Sequence, residues 1–563
     1  MLSKNSMKSD SEFNHPEDFK RSRHNATLLN PGPPALYRLN TERKRIDETE
    51  TKVNRWTYGQ KKRNKQNKVI LMVGETGAGK TTMINTLINY LLGVKFEDEE
   101  FYQITEETED NKEEEETSVV TVYEVFVEEN PTSLTIIDTP GYGHTEGLEK
   151  DREISEYLIR LFSDENGIHY IDAVCFVMKA TQNRLSRKEH YIFHSVLSLF
   201  GRDVENNIVF LLTHSDGGPP TNALNAVKKA EIPCRRDGKR KPIHFLFNNR
   251  QKEIRDKQYE HNYRSSWEMG VRSMNEFFTF LEEKNRKSVR MTLDVMKERI
   301  QLEACVSHLK ARICENELKN KELTQIQEAL AQNRDKIQKC QSFQFTVNRC
   351  FKEKVPIENE WGWNRNATCC NVCQENCHEW NCWWVENLSW CEVMKSNHCT
   401  VCTGKCHYSK HVRENKKYVI RTKETKMAFD DLKLEYEHTG DRPETSFDKG
   451  IYINTKMEQE SIMKESENKT EIEEKLKSNL EKIKHEKSIM LHEAYISIVS
   501  LCKISLIADS ASTLQHLDFL ILRLKEEKRN KWIKNLEDLK KTGDQQKNKG
   551  ALRHLMDYTM QKN

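Results

Sequence analysis

Nothing in this chain reads as a membrane span. The longest apolar stretch, Ile489 to Ala508, is interrupted by His492, Glu493 and Lys503. It falls short of the roughly 18 uninterrupted apolar residues a bilayer crossing needs, so a buried helix is expected there. The opening residues, MLSKNSMKSDSEFN, lack the apolar core of a secretory leader. Excess charge of one sign is missing too: 90 Lys and Arg against 88 Asp and Glu leave a formal net charge of +2. That removes any global attraction to nucleic acid or an anionic membrane surface. Apolar residues are sparse, at 36% against 32% charged, with a mean hydropathy of −0.83. Such a composition excludes one compact globule over 563 residues. It suits several domains, with globular parts joined by long charged helices. Sixteen cysteines without a leader point to reduced thiols or metal ligands in a cytoplasmic protein, soluble or peripheral, rather than a disulfide scaffold.

What is present is organised around Gly74-Glu75-Thr76-Gly77-Ala78-Gly79-Lys80-Thr81-Thr82. The apolar run Val69 to Val73 precedes it and the helical pattern Met83 to Ile88 follows. Strand, glycine loop and helix in that order form the context that the phosphate-binding pattern G-x-x-x-x-G-K-[ST] requires. Gly77 and Gly79 let the backbone curl so that successive N–H groups face phosphate oxygens, and the helix adds its positive end. Lys80 is expected to reach the β- and γ-phosphates and the Thr81 hydroxyl to ligate Mg2+.

Residues 1–65, rich in Asn, Ser, Lys and Glu, read as a disordered tail. An α/β P-loop NTPase domain of the TRAFAC G-domain type is expected over 66–285. Within it, the acidic stretch Glu97 to Glu116 reads as a mobile loop in the place of switch I. Thr117, just before the strand Val119 to Val127, is placed to cover Mg2+ and joins Lys80 as a candidate catalytic residue, with Ser118 and Thr121 as competitors. The strand Leu134 to Ile137 ends in Asp138-Thr139-Pro140-Gly141. Asp138 at that strand end can hold a water on Mg2+, and the Gly141 N–H can sense the γ-phosphate. Further strands are expected at Ala173 to Met178, Ile208 to Leu212 and Ile243 to Phe247, with a helix from Lys188 to Phe200. The fifth strand runs into Thr213-His214-Ser215-Asp216, where Asp216 can accept from the ring N–H and exocyclic amine of guanine, a pair adenine does not present. His214 stands where a lysine usually packs over the base and can stack instead. Asn248 lies where a loop would close over the base.

GETGAGKTT, DTPG, the stretch Thr181 to Ser186 continuing to Leu199-Phe200-Gly201-Arg202-Asp203-Val204, and Phe247-Asn248-Asn249 together resemble the GIMAP or AIG-type GTPases, relatives of the septins. The resemblance covers less than half the chain. It implies GTP and GDP binding with Mg2+ and a homodimer or higher assembly formed across the nucleotide face. Tyr142 follows Gly141 where small GTPases carry the glutamine that orients the attacking water. Hydrolysis is therefore expected to be slow or completed by a partner or second protomer, with His144 one candidate.

From Arg290 to Gln341 there is neither proline nor glycine. Leu302, Val306, Leu309 and Ile313 keep helical spacing, continued by Leu323, Leu330 and Ile337 and interrupted by Asn316, Asn320 and Gln327. A helical or coiled-coil arm is expected over 286–345, packing on its own chain or on a protein partner. Residues 369–411 then hold nine of the cysteines. Cys370-x2-Cys373-x3-Cys377-His378-x3-Cys382 is repeated as Cys399-x2-Cys402-x3-Cys406-His407-x3-His411. C-x2-C pairs suit tetrahedral Zn2+, so a module over 346–420 with about two zinc ions is expected, Cys369 and Cys391 being spare. Spacing leaves open which of each Cys-His pair ligates, whether ligands are exchanged between halves, and whether a disulfide knot forms instead. The segment resembles Cys/His-rich stretches that follow AIG-type G domains in other proteins. Trp361, Trp363, Trp380, Trp383, Trp384 and Trp390 are expected to fill the module's core. Residues 421–563 read as helical again, with the face Ile472, Leu476, Leu480 and Ile483 and a helix from Thr513 to Leu539; packing of the two arms would put the module at the tip of a stalk.

Two functions fit these readings: a GTP-binding switch or assembly GTPase, and a nucleotide-binding scaffold that does not hydrolyse, its arms and zinc module contacting proteins.

Overall fold

The structure, a computed structural model, describes residues 24–45, 53–62, 64–105, 120–139, 148–283, 286–333, 335–336, 343–357, 366–379, 387–437, 461–507 and 511–547. The chain forms two compact units, one of residues up to Asp294 with Ser505–Ala511 and the residues from Gly543 onward, the other of Val295–Ile504 with Ser512–Thr542.

In the first unit, β5 (Gln66–Gly74) carries the apolar run Val69 to Val73, buried on both faces. Such continuous runs mark parallel strands covered by helices on both sides. Glycine then breaks the strand and α1 (Lys80–Leu91) buries Met83, Ile84, Leu87, Ile88 and Leu91 along one stripe. There follow β7 (Val120–Val125), β8 (Thr132–Asp138), α2 (Leu148–Ser163), β10 (Ala173–Lys179), α3 (Arg187–Ser198), β11 (Ile208–Thr213), α4 (Thr221–Lys229), β12 (His244–Leu246) and α5 (Glu260–Glu282). Short β9 (Tyr170–Ile171) and β13 (Lys287–Ser288) pair antiparallel. With β3 (Glu42–Arg45) and β4 (Val53–Tyr58) the main sheet has the order β12-β11-β10-β5-β8-β7-β4-β3. Strand β5 pairs in parallel with both β8 and β10, in registers that set Met72 opposite Asp138 and Gly74 opposite Val177. The order reverses at β5, and open α/β sheets bind ligands at the carboxyl ends of strands at such a point. The expected α/β P-loop fold is therefore present, with its glycine loop at that crevice.

The expectation of a disordered tail fails over residues 24–45 and 53–58. Strand β4 pairs in parallel with β7, Val53 opposite Val120 through Tyr58 opposite Val125, so it covers what would be an exposed sheet edge. Strands β1 (Ala26–Asn30) and β2 (Ala35–Leu39) form a second sheet with β6 (Glu100–Gln103). Its core is the stacked pair Tyr37 and Tyr102, with centroids 5.2 Å apart. The alternation in Ala35-Leu36-Tyr37-Arg38-Leu39 is a strand signal too short to outweigh its polar flanks. The acidic segment is corrected in the same way. Buried Asn89 of α1 accepts from the Tyr102 N–H at 2.9 Å, and Asn85 accepts from Ile104 at 3.0 Å and donates to Thr105 at 2.9 Å. The chain is thus fastened to the phosphate-loop helix as far as Thr105; the rest of the expected mobile loop lies outside the described residues.

The second unit is built on α6 (Arg290–Gln332), where Leu302, Val306, Leu309 and Ile313 are buried as their spacing predicts. The long β14 (Gln344–Pro356) and β20 (Lys416–Ala428) pair antiparallel, Gln344 opposite Ala428 through Pro356 opposite Lys416. This ribbon brackets the cysteine module, and the purely helical part begins only at α7 (Phe429–Glu437), later than expected. Helices α8 (Ser461–Ile504), α9 (Ala511–Glu526) and α10 (Asn530–Lys547) follow. The single helix expected from Thr513 breaks where Lys528 turns left-handed at φ 57°. Arg312 pairs with Glu486 of α8, and Arg299 donates to Thr513 of α9 at 2.8 Å. The module lies along the side of α6, not at a tip: Ala304 belongs to its core and His308 meets Glu375 at 3.0 Å. No described helix is long and apolar enough to cross a membrane.

Candidate functional site

The glycine loop is shaped by one close approach and two left-handed residues. A Cβ on Gly74 would lie 2.8 Å from the Val177 carbonyl oxygen, so β10 leaves room only for glycine. Gly77 and Gly79 have φ of 77° and 91°, the left-handed region that side chains disfavour. Gly79 caps α1, and the Thr213 hydroxyl donates to the Ala78 carbonyl at 2.7 Å. The end of β11 is thereby tied beneath the loop. Lys80 points across to β8, with its Nζ 2.5 Å from Asp138 Oδ1 and 2.7 Å from the Thr139 carbonyl. One lysine, one aspartate and the half-buried Thr81 therefore gather at the start of α1.

One neighbour of the loop was not singled out from sequence. Ser186 caps α3 in a capping box with Glu189, and its hydroxyl donates to Glu75 of the loop at 3.2 Å. Burial raises the Glu189 carboxyl, and the nearby Glu75 charge raises it further. The signal available was the S-x-x-E spacing of Ser186 and Glu189, a helix-start pattern that also fixes what faces the loop.

At the end of β11, His214 adopts φ 53° and is exposed, Ser215 is buried and Asp216 is exposed again. Asp216 accepts from the Gly218 N–H at 2.9 Å, which closes the turn. The Ser215 N–H donates to the Phe247 carbonyl at 3.0 Å, bringing Asn248 beside this turn. Asn248 donates to Ser266 at 3.4 Å. The phosphate-loop residues, Asp138, Thr213, His214, Asp216 and Asn248 thus converge on one end of the sheet. Thr117, Gly141, Tyr142 and His144 lie outside the described residues.

The second unit holds a separate cluster. Strands β15 (Ala367–Cys370), β16 (Glu375–His378) and β19 (His411–Glu414) form a small sheet, and the short β17 (Met394–Lys395) and β18 (His398–Cys399) form a hairpin. Two sets of potential metal ligands converge there: Cys370, Cys373, Cys402 and Cys406, and Cys377, Cys399, Cys402 and His411. Within each set the donor atoms lie within 4.8 Å of one another. No described cysteine is in a disulfide. Backbone N–H groups point at the sulfurs: those of Val401 and Cys402 reach Cys399 Sγ at 3.3 Å, and Gly404 reaches Cys373 Sγ at 3.3 Å. Thiolate charge is what such donors stabilise. Glu375 steadies the second cysteine loop by accepting from the Thr403 N–H at 2.8 Å and hydroxyl at 2.7 Å. Burial alone would raise this carboxyl, but His308 and Thr403 outweigh it and bring it to about 2.

Two expected ligands are corrected. His378 turns away from both sets, with Nδ1 3.4 Å from Cys391 Sγ. His407 instead caps the turn at residues 408–410, with Ser409 as its partner at 2.9 Å. Adjacent Cys-His residues in an extended chain point to opposite faces, so each pair can offer only one ligand to a given centre. Spare Cys369 is buried, and burial pushes its thiol up to about 11. Cys382 and all the named tryptophans but one lie outside the described residues; Trp390 is 67% exposed and fills no core.

Residues 68–291 match the model of the AIG1 family, so an AIG-type G domain occupies this stretch. No curated protein matches the chain. Among solved structures it is similar to Toc33 from Arabidopsis thaliana in complex with Mg2+ and GMPPNP, at 13% identity over 40% of this chain and 88% of that one, TM-score 0.28. A probable GTP-binding protein engB matches at 14% identity over 38% and 99% of the two chains, TM-score 0.23. The LeoA bacterial dynamin GTPase from ETEC matches at 16% over 48% and 47%, TM-score 0.24.

Proposed function

From an AIG-type G domain over residues 68–291, we propose that this protein binds GTP and GDP with Mg2+ and uses the bound nucleotide to control assembly. The observation that carries the reading is the glycine loop itself. Left-handed Gly77 and Gly79 open the backbone at the start of α1, and Lys80 and Asp138 lie within 2.5 Å of each other beside it. In this reading the loop N–H groups and Lys80 hold the phosphates, while Thr81 and Asp138 supply hard oxygen donors for Mg2+. Gly77 leaves its surroundings open, since a Cβ there would meet nothing within 4 Å, and a phosphate oxygen needs such an approach. Asp216 reads guanine, His214 stacks on the base and Asn248 closes the loop beside it. The many cysteines in a chain without an apolar leader favour a cytoplasmic protein.

Tyr142 in place of a water-orienting glutamine favours slow turnover, raised when a second protomer or partner contacts the site. The same residue supports the second reading, a nucleotide-binding scaffold that does not hydrolyse, with the second unit engaging protein partners. Displacement of fluorescent GDP by GTP but not ATP tests the base assignment, and equal competition by ATP would reject it. Multiple-turnover hydrolysis at varied protein concentration separates the two readings. Turnover per protomer that rises with concentration supports assisted hydrolysis through a homodimer; none at any concentration leaves the scaffold.

A further inference from the structure

The two ligand sets share one residue. Cys402 belongs to both, so seven side chains supply the four positions of each of two centres. We propose that these residues hold a binuclear zinc cluster in which the Cys402 thiolate bridges the two ions. One ion takes Cys370, Cys373 and Cys406 as terminal ligands; the other takes Cys377, Cys399 and His411.

The distances suit this chemistry. A tetrahedral Zn2+ with Zn–S bonds of about 2.3 Å sets its sulfurs about 3.8 Å apart. Cys373 and Cys406, from different repeats, have their sulfurs 3.7 Å apart without a bond. His411 is prepared as a ligand. It is 7% exposed, its Nδ1 lies 3.1 Å from the His407 carbonyl oxygen, and its buried Nε2 has no hydrogen-bond partner. A histidine that donates one ring N–H to a carbonyl presents the other nitrogen to a metal, and a buried lone pair left alone is costly. Cys402 itself is fully buried. Gly404, between Cys402 and Cys406, leaves a side chain little room, because a Cβ there would lie 3.0 Å from Cys406 Sγ and 3.1 Å from Cys373 Sγ.

The cluster crosses the sequence repeat. Cys370 and Cys373 of the first half bind with Cys402 and Cys406 of the second, while Cys377 of the first binds with Cys399 and His411 of the second. Neither half closes a site by itself, so each centre needs residues of both halves. All eight coordination positions are filled by protein, which makes the cluster structural and leaves no position for a reacting water.

Stepwise cobalt loading of the metal-free full-length chain tests the bridge without a mutation. Thiolate-to-cobalt absorption should saturate at two ions per chain. The paramagnetic signal per ion should fall between the first and second equivalents, because spins couple through a shared sulfur. Saturation at one ion, or two ions with strictly additive signals, overturns the proposal. As a second measurement, Cys377→Ser should retain one ion and Cys402→Ser should weaken both centres, lowering bound zinc from two per chain to below one. A Cys402→Ser chain that keeps one ion as tightly as Cys377→Ser also overturns it.

Discussion

The glycine loop and the cysteine module each gather charged groups around a prospective ligand, and they do so in opposite ways. The loop sits on a sheet whose strands β5, β10 and β11 are buried almost throughout, so its shape is held by apolar packing around it. The module's core cluster has nine buried members, and five of them are cysteines, with Ala304, Val393, Met394 and Val401 the remainder. Little apolar area is available there to offset the entropy of ordering the chain. In the first unit apolar packing shapes the site; in the second the proposed zinc cluster is what would hold the module together.

Metal removal is the most direct way to break this comparison. Chelation should unfold the module, at a cost on the order of 10 kcal/mol for structural zinc. Nucleotide affinity should stay within about threefold. Protease sensitivity across residues 366–414 alongside GDP binding reads both, and parallel loss of the two would contradict the contrast.

Lys80→Ala is the reverse experiment. It removes the ammonium beside Asp138 and should weaken GDP binding by about a hundredfold or more, on the order of 3 kcal/mol. Zinc content should be unchanged by mass spectrometry; a variant that loses zinc would show that the modules depend on each other.

Gly404→Ala sharpens the comparison at a single atom. Its Cβ would press on two sulfurs at 3.0 and 3.1 Å, an overpacking cost of about 2 kcal/mol, seen as faster zinc transfer to a colorimetric chelator. An unchanged transfer rate would mean the sulfur loops yield freely.

The smallest effect concerns the ionic packing of α6. Glu315 is buried; burial raises its carboxyl, but Lys352, Arg312 and Lys319 outweigh this and lower it from 4.5. A lowered carboxylate stabilises fully above its unfolded value and loses that contribution as pH falls through the folded one. The stability difference between the wild type and Glu315→Gln should therefore be on the order of 1 kcal/mol at neutral pH and shrink as pH drops below about 4.5. A gap that widens in acid would reverse the assignment.

Local patterns carried most of the first unit. The glycine loop, the strand ending in Asp138 and the turn at Thr213 to Asp216 are contiguous segments whose spacing states their conformation. The strands at residues 26–58 escaped because each is short and its partner is distant: β2 meets β6 more than sixty residues away, and β4 meets β7 at similar range. Backbone pairing across such separations leaves little local trace. Helix α6 was legible as a helix, but not its two-sided burial, because His308 and Glu315 are buried there by partners from the module and the ribbon.

The sequence by itself determined where phosphate-type chemistry sits and which residue types surround it, since a glycine loop between a strand and a helix is a property of neighbours in the chain. It likewise announced a cluster of soft ligands by their repeat. Only the tertiary structure decided how those ligands divide. Convergence of Cys402 with residues from both repeats depends on how three small strands pair and on which side of each strand a thiol or imidazole projects. Those are long-range orientations, and identical spacings in the two halves are silent about them.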